Sequence, residues 1–146
     1  MYDYVDRRVD SLDRGGRLLV WAMRGWVTSL GSRQCPAAAI GPGFAAAGII
    51  AALPRFHIAM ALLNRNGLKT YGFAPTNCPR VAEDEAVLLA TVRALRDQSP
   101  ATIHALIAAL VEEESVAPFL DAMTGLAAAL ASVGLIPEGS TPALPR

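Results

Sequence analysis

The sequence predicts an all-α protein: a single compact bundle of about five to six helices with a long N-terminal helix and a flexible C-terminal tail. Three observations carry that expectation. Apolar residues return at spacings of three and four through most of the 146-residue chain, the rhythm that keeps them on one face of a helix. The hydrophobic fraction is 53%, and much of its excess over an ordinary domain is alanine, a strong helix former small enough to allow close packing. Proline and glycine stand where helices should start or stop, as in Ser99-Pro100 and at Gly134. A chain of this length supports one core, so residues 1–137 are assigned to one helical domain and 138–146 to the tail.

The first helix is expected from Tyr4 to Gly31, because Val5, Val9, Leu12, Gly16, Leu19, Met23, Trp26 and Leu30 form one stripe. Asp3 with Arg7, Asp10 with Arg14 and Asp13 with Arg17 are acid-first pairs one turn apart, worth about 0.3 kcal/mol each. Gly15 and Gly16 interrupt this pattern at about 2 kcal/mol relative to alanine, which implies a bend, a break or a close approach by another element. Pro36 then suits a helix start, Gly41-Pro42-Gly43 predicts a turn, and the apolar run Phe44 to Leu53 ends at a boundary marked by Pro54.

Phe56, Met60 and Leu63 share one face of the next helix, while Ile58 and Leu62 occupy another. Such a helix belongs in the centre of the fold, with Asn66-Gly67 as a left-handed stop. Breakers at Gly72, Pro75, Asn77 and Pro79 make residues 68–80 a loop. Glu83, Asp84 and Glu85 then complement the positive end of a helix dipole, and Leu88, Val92 and Leu95 face inward until about Gln98. Ser99-Pro100 opens a helix carrying Ile103, Leu106, Ile107 and Leu110. The last helix aligns Phe119, Met123, Leu126 and Leu130 and ends at Gly134 and Pro137.

Thirteen basic and thirteen acidic residues leave no net charge, which removes the simple case for a polyanion partner. The charges are segregated: residues 1–69 hold nine cations and four acids, and residues 70–146 hold four cations and nine acids. Two halves of one domain that complement each other account for that division. The uncharged stretch Cys35 to Pro54 is long enough to span a bilayer, but its Gly-Pro-Gly interruption, its alanines and its lack of flanking Trp or Tyr favour two buried helical pieces and no membrane partner. Two distant cysteines and the absence of a leader-like N-terminal stretch make a reduced cytoplasm the expected location.

Cys35, His57, Cys78 and His104 are the only cysteines and histidines. Their gaps of 22, 21 and 26 residues lack the local pairs of a structural zinc site, so neither a metal nor a cofactor is expected. His57, among Phe56, Ile58 and Met60, is expected as a buried neutral imidazole in need of a hydrogen-bond partner. Cys35, before Pro36, sits where a helix dipole can activate a thiol, and Cys78-Pro79 repeats the dipeptide. Glu112, Glu113 and Glu114 read as a solvated junction. Trp21 and Trp26 with Arg17 and Arg24 raise a stacking surface for nucleic acid. No phosphate loop, dinucleotide fingerprint, nucleophile elbow or zinc-protease motif occurs, so catalysis has no positive sign.

The leading expectation is therefore a non-catalytic helical interaction protein that self-associates, as a homodimer or with another helical protein, through Leu12, Leu19, Trp21, Met23 and Trp26. A nucleic-acid-binding regulator is the first alternative. A small-molecule-binding protein with a pocket at Phe44, Phe56, His57 and Met60, with Cys35 and Cys78 as further contacts, is the second.

Overall fold

A computed structural model describes residues 4–138; Asp3 and tail residues 139–146, with the expectations placed on them, lie outside the described residues. Six α-helices follow in chain order: α1 Arg14–Gly31, α2 Pro36–Ala46, α3 Leu53–Asn66, α4 Glu83–Asp97, α5 Pro100–Ala108 and α6 Val116–Ser132, with no β-strand among the described residues. Helix α6 lies at the centre, packed on α3, α4 and α5, while α1 packs on α2 and α4. The fold is the all-α bundle that periodicity and alanine content predict.

The first helix is shorter than its apolar stripe. Residues 4–12 form a non-helical arm with a 3₁₀ turn at Val9–Ser11, and α1 starts after Asp13, whose carboxylate accepts from the Gly16 amide at 2.9 Å. An aspartate cap followed by two glycines outcompetes continuation of the helix. The arm instead pairs with the segment before α4: Asp6 N–H donates to Val81 O, Val81 N–H to Arg7 O, and Val9 N–H to Pro79 O. Of the stripe residues in the arm, Leu12 is buried and Val5 and Val9 are half-buried against the core, while Tyr4, outside the stripe, is buried as well. Of the pairs expected along this stretch, Asp10 binds Arg8 instead of Arg14, and Asp13 serves as the cap.

Helix α2 runs unbroken through Gly41-Pro42-Gly43, where a turn was expected. The stop falls at Gly48, with φ +79°, where Ile49 N–H bonds Phe44 O and Gly48 N–H bonds Ala45 O, the pair of bonds that closes a helix through a left-handed residue. The same two bonds close α6 at Gly134, as expected, from Leu135 to Leu130 and from Gly134 to Ala131. Gly67, by contrast, leaves α3 extended at φ −68° and ψ 150°, pairing with Val111. Helix α3 buries Phe56, Ala59, Met60 and Leu63 but leaves Ile58 exposed, so it is one wall of the bundle and not its axis. The segment Glu113–Ser132 is apolar enough by length and composition to cross a bilayer, with a mean hydropathy of 1.3; here Phe119, Met123, Leu126 and Leu130 on α6 are packed in the core.

Among the described residues, ion pairs of Arg24 with Glu85, Lys69 with Asp84 and Arg55 with Asp121 join the basic half of the chain to the acidic half. The segregation of charge in the sequence is thus a complementarity within one domain.

Candidate functional site

The segment between α3 and α4 is held by a buried clasp. Arg24 of α1 donates to both Glu85 carboxylate oxygens, at 2.8 and 2.9 Å, and to the carbonyls of Cys78 and Arg80. Glu85 also accepts from the Ala74 and Ala82 amides. Both side chains are almost fully buried, at 3% and 0% exposure, and the Glu85 hydrogen bonds raise the Arg24 pKa. With four bonds received, Glu85 has no lone pair left for a substrate proton, so this pair is a structural tie. Next to it Asp84 accepts from Lys69 Nζ at 2.9 Å and from the Gly72 amide, which fixes the front of the same segment.

These ties shape a groove of about 380 Å³ between the C-terminal halves of α1 and α3, closed at one end by residues 67–73. Trp26, Met60 and Leu63 form its buried floor, and Val27 and Phe73 its apolar sides. Asn64, Arg65, Lys69, Thr70 and Tyr71 form its polar rim. The rim is positioned by bonds made outside the groove. The Tyr71 hydroxyl donates to Leu110 O at 2.7 Å, and burial raises its pKa, which keeps the phenol neutral. The Lys69 ammonium lies 5.3 Å from the Tyr71 ring centroid, and its bond to Asp84 raises its pKa. Trp26 Nε1–H donates to His57 Nδ1 at 3.0 Å, which fixes the indole with Nδ1 as the acceptor.

The chain matches no family model, no curated protein and no solved structure.

Of the residues expected to bind a ligand, the structure brings Phe44 and Phe56 together, with ring centroids 5.4 Å apart, but as sealed core. The void beside Phe56 and Met60 is about 20 Å³, room for a water molecule and not for an organic ligand. Met60 reaches the groove from the other side. His57 is exposed and not buried; Trp26 is the partner that its ring was expected to need. Cys35 is exposed at the N-terminus of α2, Cys78 is half-buried, and both are free thiols. Among the described residues no group of three or more His, Cys, Asp or Glu is placed to hold a metal.

Of the five residues expected at an interface, Leu12, Leu19, Met23 and Trp26 belong to the chain's own core, and Trp21 is 44% exposed. Its ring lies across α2 at Gly43, where even a Cβ would come within 2.4 Å of it, and Arg14 and Arg17 flank it in a shallow depression. The stacking surface considered for nucleic acid is divided in the same way, since Arg24 and Trp26 are interior.

Sequence reasoning missed the rim. Lys69, Thr70, Tyr71 and Phe73 lie in what reads as a loop, and no local signal shows that Asp84 and Glu85 pull that loop onto α1. The one legible cue is the run of acids at 83–85, which also fits the start of a helix dipole.

Proposed function

We propose that this chain is a non-catalytic helical binding protein that holds a small organic molecule in the groove between α1 and α3. The observation that carries the reading is an aromatic and aliphatic floor, Trp26, Met60 and Leu63, flanked by Phe73, beneath polar groups at the rim. A concavity of this volume, with convergent polar groups around an apolar floor, falls within the size range of small-molecule sites. The floor side chains belong to the packed core, so little ordering is needed on binding. Saturation-transfer NMR with a mixed set of aromatic and aliphatic fragments tests the reading. Binding fragments are expected to lose their signal in Asn64→Trp, which fills the groove from an exposed rim position. An absence of hits, or hits indifferent to Asn64→Trp, counts against it.

A second reading, self-association, is favoured by Trp21, the largest of the exposed hydrophobic side chains. Tryptophan in a flat apolar setting flanked by arginine is the composition of interface hot spots. On this reading light scattering gives a dimer mass that Trp21→Lys reduces to a monomer. A monomer mass for the unaltered chain removes it.

A further inference from the structure

Resting on the groove reading, we infer that the groove takes an amphiphilic monocarboxylate, its hydrocarbon body on Trp26, Met60 and Leu63 and its carboxylate at Arg65 and Lys69. The charge balance points there. No acidic residue lines the groove. Lys69 is compensated by Asp84, with its ammonium 2.9 and 3.2 Å from the two carboxylate oxygens, which leaves the third N–H of the ammonium unassigned. The Arg65 side chain makes no hydrogen bond or ion pair among the described residues, and Arg65 stands as the basic residue of the last turn of α3. The rim therefore carries one uncompensated positive charge, which a single carboxylate neutralises. The negative end of the α3 dipole, about half a charge, does not cancel it. The α3 terminus is in any case bonded, since Asn66 O accepts from Glu112 N–H at 2.9 Å.

Arginine suits this role because its planar fork meets a carboxylate with two parallel bonds. The Thr70 hydroxyl and Asn64 amide add neutral donors at the same rim. A second carboxylate on the ligand would meet only the compensated Lys69, so a dianion gains little. A cationic amphiphile would face Arg65 directly.

Isothermal titration calorimetry of the full chain with octanoate, octanol and octyltrimethylammonium, all below their micelle concentrations, tests this inference. Octanoate is expected to bind saturably, at least tenfold more tightly than octanol, with no measurable heat from the cationic probe. Arg65→Gln should weaken octanoate at least tenfold and leave octanol unchanged. Arg33→Gln, at another exposed arginine, should change neither. Equal affinity for octanoate and octanol overturns the carboxylate assignment while leaving the groove reading intact. Silence from all three probes overturns both.

Discussion

Arg24 and Glu85 are the pair on which the most buried polar bonding depends. Removing one partner of a buried, hydrogen-bonded pair costs about 3–5 kcal/mol, because the other charge is left uncompensated in a region of low polarity. Arg24→Met should lower stability by that amount in equilibrium urea unfolding. A second change, Glu85→Leu, should recover only part of the loss, because Glu85 also satisfies the Ala74 and Ala82 amides and those donors would be stranded. Full recovery in the double variant would show that the amides find other partners. Nothing local revealed this pair, whose members are 61 positions apart, and each had a plausible surface role as read from its neighbours. Tyr71 gives a pH signature. Its pKa is raised in the fold by burial, so its contribution is complete below the ordinary phenol value of about 10 and is lost as pH rises through the folded value, the unfolded chain releasing its proton first. Tyr71→Phe should cost about 1 kcal/mol at pH 7, since Leu110 O keeps its bond from Leu68, and the gap between the two proteins should narrow above pH 10. A gap that widens there would contradict the assigned burial.

The helices show which sequence signals survive packing. Ser99-Pro100, Pro54 and Gly134 act locally, and the structure uses all three as helix boundaries. The stripe from Val5 to Leu12 and the Gly41-Pro42-Gly43 turn failed because tertiary partners decided the outcome: residues 79–81 captured the arm, and α2 packs on α1 and α3. Glycine illustrates the difference. Of the bend, break or close approach expected at Gly15 and Gly16, the helix begins immediately before them, at Arg14, and Gly15 marks a close approach, with the Leu135 carbonyl where its Cβ would lie. Gly31, at the other end of the same helix, has nothing within 4 Å of that position. Gly15→Ala should therefore destabilise by about 1–3 kcal/mol by pushing the Leu135 segment off α1, despite the better helix propensity of alanine. Gly31→Ala should be neutral or stabilising by up to about 1 kcal/mol. Thermal melts of the two variants check the contrast, and equal effects would mean that the close approach at Leu135 relaxes without cost.

The molecule as a whole was legible in class and charge logic, and its groove was not. Periodicity reports which side chains turn inward, so the core containing Leu19, Met23, Phe56, Met60, Phe119 and Leu126 could be read. The groove needs the register of α1 against α3 and the path of the loop between α3 and α4, which no local pattern encodes. That loop also ties the basic half to the acidic half, because Arg24 in α1, the carbonyls of Cys78 and Arg80, and Glu85 in α4 share one buried network. Opening either half strands the charges of the other, at a cost comparable to a large part of the stability of a small domain. The exposed pair Arg55 and Asp121 adds little to this coupling. Unfolding should therefore be a single transition. The two tryptophans, Trp21 and Trp26, both lie in α1, so their emission follows the basic half, whereas far-UV ellipticity also follows α4, α5 and α6. Urea titrations read by the two signals should superimpose. Emission changing before or after ellipticity would mean that the halves are separate cooperative units and that the clasp does not couple them.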